Sequence, residues 1–147
     1  MMSSYGVFHV IESFNGVMVE YHGDILKSKF SGIVYEPVDQ QKIWYHHGVV
    51  HRDDGPALIF GCGDKEWYKH GQLHRDNDLP AVIWNNGKDL RWFQNGNLHR
   101  IGAAASIHNE LEEYFFDGKY YEPEDYWKLP EMVWIKLNSI TQLLTNE

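Results

Sequence analysis

Apolar and polar residues alternate along this chain in short runs that are separated by turn signals. Alternation with a period of two is typical of strands that bury one face. Each turn signal ends in glycine, which tolerates the positive φ of a tight hairpin turn. We therefore predict an antiparallel meander with strands at residues 42–46, 57–60, 66–69, 81–84, 90–94, 104–108 and 113–116. The predicted turns are Asn15-Gly16, His47-Gly48, His70-Gly71, Asn86-Gly87, Asn95-Gly96 and Asp117-Gly118.

The pattern changes to a helical period near the end of the chain. Pro123 and the acidic residues after it predict a helical turn within residues 122–129, and Pro130 precedes a longer helix at residues 131–144. We expect this helix to cover an apolar face or an open edge of the sheet. The alternative is a helix that binds a partner. Its apolar face consists of Leu129, Val133, Leu137, Ile140 and Leu144.

The strands belong to an internal repeat. Its aromatic anchors are 23, 25 and 22 residues apart, a period that predicts a stacked array of similar units. The third unit replaces the Asp-Asp-Gly-Pro elbow of the first with Ile101-Gly102-Ala103-Ala104, and the fourth has Tyr120-Tyr121 where a histidine is expected. The anchors are Trp44, Trp67, Trp92 and Tyr114, and the pairs after the first three turns are His51-Arg52, His74-Arg75 and His99-Arg100.

The repeat divides the chain into three segments. Residues 1–41 read as a degenerate N-terminal repeat that caps the array, with a turn at residues 22–26 and a strand at residues 33–35. Residues 42–121 form the repeats, and residues 122–147 form a C-terminal helical segment. The predicted fold is mainly β, with tandem antiparallel hairpins in a twisted sheet and a C-terminal helical cap.

Composition narrows the range of possible functions. The formal net charge is −8, and a sequence-independent binder of duplex nucleic acid needs a basic surface, so we expect no such binding. Cys62 is the only cysteine, which excludes an internal disulfide and a thiolate zinc cage. The N-terminal residues lack the features of a signal peptide, and no apolar run reaches the length of a membrane span. We expect an acidic, soluble, cytoplasmic protein without membrane contact.

The pattern aromatic-x-x-x-Gly-x-x-His, with His-Arg-Asp-Asp-Gly-Pro-Ala after residue 50, resembles the MORN repeat. The variant is similar to the MORN-like arrays of tailed phages and other large DNA viruses. The resemblance covers residues 42–121 well and residues 14–41 poorly. It implies a single-layer antiparallel sheet of consecutive hairpins, and a role in interaction or scaffolding.

His51, His74 and His99 occupy one repeat position, which raises the question of a metal site. Equivalent residues of successive hairpins are two strands apart, or about 9–10 Å. Zinc needs nitrogen ligands at about 2.0–2.1 Å, so one ion cannot join them. We therefore predict no metal site and a structural role, in which each imidazole binds a turn backbone or a nearby carboxylate.

The arginines and the second aromatic column are the candidate binding groups. Arg52 and Arg75 have acidic neighbours that predict Arg–Asp pairs, whereas Arg100 has none in its own unit and is expected to be free for a ligand. Neighbouring strand residues face opposite ways, so we expect one aromatic column to pack and the other to be more exposed. The predicted partner-binding residues are Tyr45, Tyr68, Phe93, Arg52, Arg75 and Arg100.

The function predicted from these patterns is non-enzymatic binding of a protein partner. The viral resemblance implies an accessory protein that modulates a host defence or takeover target. One alternative is sequestration of a nucleotide signal by the arginines and aromatic rings. A second is a histidine-based nuclease, for which the sequence has no nucleophile and no catalytic motif. No cofactor is predicted, and the open sheet edges are compatible with a homodimer.

Overall fold

The fold is mainly β, in a computed structural model that describes residues 8–12, 19–21, 30–36 and 39–145. Side chains are described for residues 30–36 and 39–142. The predicted turns at residues 15–16 and 22–26 lie outside the described residues. The first strands are β1 (Phe8–Glu12), β2 (Val19–Tyr21), β3 (Gly32–Glu36), β4 (Gln41–His46), β5 (Val49–Val50), β6 (Leu58–Ile59), β7 (Lys65–Glu66), β8 (Tyr68–Lys69) and β9 (Gln72–Leu73).

The second half continues the meander and ends in two helices. Its strands are β10 (Val82–Trp84), β11 (Asp89–Arg91), β12 (Phe93–Gln94), β13 (Asn97–Leu98), β14 (Ser106–His108), β15 (Leu111–Phe116) and β16 (Lys119–Tyr121). The helices are α1 (Pro123–Tyr126) and α2 (Pro130–Thr145), and a 3-10 turn spans Asn85–Gly87. Every predicted strand overlaps an observed one, so the predicted antiparallel β fold is confirmed.

Most strands join one antiparallel sheet in the order β16-β15-β14-β11-β10-β7-β6-β4-β3-β1-β2, with β5 beside β4. Two small hairpins, β8–β9 and β12–β13, stand outside it. Directly paired residues share a face of a sheet. One paired row contains the buried Val34 and Val82 together with the buried Glu66 and Ser106. The row runs Val34, Ile43, Leu58, Glu66, Val82, Arg91, Ser106, Glu113.

The predicted strands at residues 66–69 and 90–94 are each interrupted at the anchor tryptophan. The N–H of Trp67 donates to the carbonyl of Ala81 at 2.8 Å, while its own carbonyl accepts the N–H of His74 at 3.0 Å. Trp92 repeats both bonds with Ala105 and His99, at 2.8 and 3.0 Å. The anchor thus bonds to one strand of the large sheet and to one strand of the hairpin. The N–H and the carbonyl of the anchor are therefore both paired at the point where the strand is interrupted.

The hairpin turns stack on one another along the array. In the predicted turns that the structure describes, a non-glycine residue at positive φ precedes the glycine, as in His70 (φ 51°) and Gly71 (φ 81°). The N–H of Gly71 donates to the carbonyl of Val50 at 2.8 Å, and that of Gly96 donates to Leu73 at 2.9 Å. Backbone hydrogen bonds therefore join each turn to the hairpin of the preceding repeat.

Helix α1 closes the C-terminal end of the array. Its fully buried Tyr126 packs on Tyr114 with ring centroids 5.0 Å apart. The Tyr126 hydroxyl donates to the carbonyls of Arg100 and Ala103. Tyr114 is the anchor of the repeat that lacks a His-Arg pair, so a ring from α1 takes the place that an arginine holds in the other repeats.

The prediction that the apolar face of the last helix packs on the sheet is wrong. Val133, Leu137 and Ile140 are 42%, 58% and 55% exposed. Contact with the array is made instead by the buried Met132, whose sulfur accepts the N–H of Gly102 at 3.2 Å. Ile135 in the second turn of α2 also lies beside Gly102. Within the described residues, no helix is long and apolar enough to cross a membrane.

We predict that Tyr126→Phe lowers the free energy of unfolding by about 1–3 kcal/mol, because two carbonyls lose their hydrogen-bond donor next to a buried ring. Urea unfolding followed by tryptophan fluorescence measures the change. Tyr120→Phe is the matched control, since Tyr120 is 48% exposed. Equal stability of the two variants would show that the hydroxyl of Tyr126 does not hold the cap.

Candidate functional site

Three elbows connect the His-Arg pairs to the returning strands. We define the first elbow as residues 53–56, the second as residues 76–80 and the third as residues 101–104. The second elbow has one residue more than the first between its arginine and its proline. Asn77 (φ 64°) and Asp78 (φ 51°) are both left-handed and accommodate the additional residue. The elbows present the side chains that differ between repeats.

His51, His74 and His99 form a histidine ladder that ties each repeat to the next. Nδ1 of each lies within hydrogen-bond distance of a backbone N–H in the following turn, at 3.0, 3.2 and 3.2 Å: His70, Asn95 and Asp117. In the first two copies Nε2 faces a carboxylate, which assigns the proton of the neutral ring to Nε2 and the acceptor role to Nδ1. In the third, Oδ1 of Asp117 lies 2.7 Å from Nδ1, a distance at which Nδ1 donates to the carboxylate.

Four imidazoles are in contiguous contact at the first repeat. The ring of His51 stacks on His70 with centroids 4.6 Å apart, and it lies 5.4 Å from His46, which contacts His47 at 4.2 Å. Nevertheless, the described residues contain no group of three or more metal-ligating side chains placed to hold an ion. The ring contacts and the hydrogen bond to the turn give His51 a packing role.

The three repeat arginines adopt one pose. Each guanidinium lies over the anchor ring of its own repeat, at 4.3 Å for Arg52, 3.7 Å for Arg75 and 3.8 Å for Arg100. Each Nη1 donates to the carbonyl at the end of its elbow, at 3.4, 3.0 and 3.3 Å. The arginines therefore fasten elbow to anchor, through cation–π contacts worth about 0.5–2 kcal/mol each.

The predicted pair of Arg52 with Asp54 is confirmed, whereas Arg75 and Arg100 differ from the prediction. Asp54 accepts from Nε of Arg52 at 2.7 Å, but Asp78 reaches forward to the next repeat and binds Arg100 through Nε (2.9 Å) and Nη2 (3.0 Å). The prediction that Arg100 is free was therefore wrong, because the longer second elbow carries Asp78 to it. Arg75 is the repeat arginine without a carboxylate partner in the described part of the chain.

The predicted binding column is not fully exposed. Tyr45, Tyr68 and Phe93 are half-buried, and so are Trp44 and Trp67 of the other column, whereas Trp92 is buried. The Tyr68 hydroxyl donates to the buried Glu66 at 2.8 Å, and burial together with this bond raises the pKa of Tyr68.

A hollow of about 490 Å³ lies between the first and second elbows, and we call it the elbow hollow. Asp76 at its rim bonds to Nε2 of His74 at 3.0 Å and lies 3.5 Å from Nζ of Lys69; the pKa of Asp76 is lowered, chiefly by the bond to His74. Sequence reasoning missed the hollow, although the additional residue in the second elbow was visible. Its other lining residues include Arg52, Asp53, Asp54, Pro56, Trp67, Arg75 and Leu79.

Comparison with known proteins gives no match to a family model, to a curated protein or to a solved structure. The assignment of the repeat to the MORN-like type therefore stays a prediction from the motif.

We predict that His51→Ala lowers the free energy of unfolding by about 1–3 kcal/mol, because the N–H of His70 loses its acceptor. Thermal and urea unfolding measure the loss. Lys42→Ala is the control, since Lys42 is an exposed strand residue. A fully stable His51→Ala protein that has lost its binding activity would contradict the structural role.

The Arg52–Asp54 pair predicts a pH dependence of stability. The hydrogen bond from Arg52, followed by its positive charge, lowers the pKa of Asp54. A carboxyl with a lowered pKa in the folded state stabilises the fold above its ordinary pKa of about 3.9, and this stabilisation is lost as the pH falls through the lowered value. Chemical unfolding of Asp54→Asn should therefore show a deficit at neutral pH that shrinks in acid.

The control for this measurement is Asp39→Asn, which removes an exposed carboxylate without an ion pair among the described residues. Its difference from the unmodified protein should vary less with pH. A constant deficit of Asp54→Asn across the acid range would contradict the assignment.

Proposed function

We propose that this chain is a non-enzymatic repeat module that binds another protein through its elbow face, the exposed side chains of the three elbows. The observation that carries the proposal is the exposure of Leu79 and Ile101, at 44% and 47%. An exposed apolar patch on a folded surface is typical of an interaction site.

The two apolar residues belong to one surface because an ion pair joins their elbows. Asp78 precedes Leu79, and Arg100 precedes Ile101. The bidentate contact of Asp78 with Arg100 holds the second and third elbows at a fixed spacing. A partner therefore meets a preorganised pair of apolar side chains, which reduces the entropy that binding has to overcome.

Charged groups surround this apolar pair. The side chains of Asp53, Asp76 and Asp78 are 85%, 64% and 60% exposed. An apolar centre with a charged rim is the usual anatomy of a protein interface. A protein that carries an apolar group flanked by lysine or arginine complements this surface, and electrostatic attraction would speed its association with a chain of net charge −8.

The similarity of the repeat to viral arrays supports a more specific form of the proposal. In that form the chain is a phage or viral accessory protein in the host cytoplasm, and its partner is a host protein whose defence or biosynthetic role it inhibits. This part rests on analogy of the motif and not on an individual residue.

The two alternative functions receive less support from the geometry. Sequestration of a nucleotide by an arginine ladder needs available guanidinium groups, and Asp54 and Asp78 already occupy those of Arg52 and Arg100. A histidine nuclease needs imidazoles with available nitrogens, and Nδ1 of each ladder histidine is engaged by the following turn.

We expect the double variant Leu79→Ser/Ile101→Ser to lose affinity for the partner by about 10-fold or more, since loss of about 1 kcal/mol at each of two apolar contacts has this effect. The measurement has two steps. Proteins retained from host lysate by the unmodified chain are identified by mass spectrometry, and the affinity of each variant for the purified partner is then measured by calorimetry.

Leu111→Ser and Leu137→Ser are the controls, because these residues are 64% and 58% exposed and lie outside the elbows. Both should bind as the unmodified protein does. Loss of binding in Leu137→Ser, with the elbow variant unaffected, would assign the interface to helix α2 and overturn the proposed surface.

A further inference from the structure

Arg75 differs from the other two repeat arginines in one respect. Its guanidinium has the same position over the anchor ring and the same bond from Nη1 to an elbow carbonyl. Its Nε and Nη2 atoms, however, have no hydrogen-bond partner among the described residues. In Arg100 these two atoms hold the carboxylate of Asp78. We propose that the elbow hollow is a binding site for an external carboxylate, which takes at Arg75 the place that Asp78 takes at Arg100.

The lack of a carboxylate partner at Arg75 follows from the lengths of the elbows. Asp54 and Asp78 both stand two residues before an elbow proline. The shorter first elbow turns Asp54 back to its own Arg52, whereas the longer second elbow sends Asp78 forward to Arg100. Two carboxylates thus serve three arginines, and the one between them is left without a partner.

The remaining acidic residues near Arg75 are engaged elsewhere. Asp76 bonds to His74 and lies close to Lys69, and Asp53 lies 3.4 Å from Nε2 of His51. Burial lowers the pKa of Arg75, which is the effect of desolvating a cation without an anion beside it. A carboxylate that enters the hollow would offset this cost, through charge-assisted hydrogen bonds to a planar donor edge.

The lining of the hollow selects the type of anion. Its acidic residues Asp53, Asp54 and Asp76 repel a dianion such as phosphate more strongly than a monoanion. Trp67 and Leu79 offer apolar contact to the group that carries the charge. A volume of about 490 Å³ is in the usual range for a small ligand or a single residue of a partner. The ligand class is therefore a carboxylate on a partly apolar group.

Such a carboxylate can come from the C-terminus of a polypeptide or from an aspartate or glutamate side chain. This inference rests on the proposed function for the origin of the ligand, a partner protein. The site itself is a property of the isolated chain, so small carboxylates can test it without a partner.

The test is an NMR titration of the isotope-labelled full chain at low ionic strength. The probes are N-acetylleucine for a terminal carboxylate, N-acetylglutamate α-amide for a side-chain carboxylate, the fully amidated form of each, and inorganic phosphate. We expect the Nε–H signal of Arg75 and the indole N–H signal of Trp67 to shift saturably with the carboxylates and not with the amides. The tighter of the two carboxylates identifies the source.

Arg75→Gln should weaken carboxylate binding by about 10-fold or more, because it removes the charge and the donor edge. Arg91→Gln is the matched control: Arg91 also lies over a tryptophan ring, 4.9 Å from Trp84, but does not line the hollow. If Arg75→Gln fails to fold, Arg75→Lys keeps the charge without the bidentate edge and should also bind less tightly.

Several results would overturn the inference. These are equal shifts with the amides, phosphate binding tighter than either carboxylate, no shift at Arg75, or the same loss in Arg91→Gln. Carboxylate binding together with an elbow variant that keeps its partner would refute the proposed interface and leave the site standing. Loss of the partner in the elbow variant, with no binding of carboxylates to the unmodified chain, would refute the carboxylate site and leave the proposed interface standing.

Discussion

The structure depends on two backbone hydrogen bonds that the anchor residue makes in each of the first three repeats. A backbone group without a partner is costly when it is buried. Here the anchor N–H donates to the equivalent alanine of its repeat, as in Trp67 to Ala81, and the anchor carbonyl accepts from the histidine, as in Trp67 from His74. One residue thus links the large sheet to the hairpin. The guanidinium of an arginine lies over each of these anchor rings, as that of Arg75 does over Trp67.

The histidines and arginines couple each repeat to its neighbours. Nδ1 of each ladder histidine binds the next turn, so the geometry of one repeat depends on the next. Stability in such an array is a sum over repeats and their interfaces, and its ends need a different partner. Tyr126 of α1 supplies that partner at the C-terminal end, where the fourth anchor has no arginine. The histidines and arginines, which are common in catalytic sites, therefore bind backbone groups here.

Variation between repeats is concentrated in the elbows, and it has electrostatic consequences. One additional residue in the second elbow sends Asp78 across to Arg100, which joins two elbows and leaves Arg75 without a carboxylate. The same elbow presents Leu79, and the next presents Ile101. The ion pair between the second and third elbows and the lack of a carboxylate at Arg75 thus both follow from one additional residue. The regular parts of the repeat hold these groups in place.

The sequence by itself determined the strands, the turns and the repeat, because alternation, Gly-containing turn pairs and period are local properties of the chain. The turns His70-Gly71 and Asn95-Gly96 have the positive φ values that their residues predict. Tertiary structure decided which side chains meet. The sequence places Arg100 without a nearby acid, but the fold brings Asp78 to it from 22 positions away. Likewise, spacing predicted that Val133 and Leu137 pack, but both stay exposed and the buried Met132 makes the contact with Gly102 instead. Partners far apart in sequence are brought together by the pairing of the strands and by the lengths of the elbows, which no single stretch of sequence specifies.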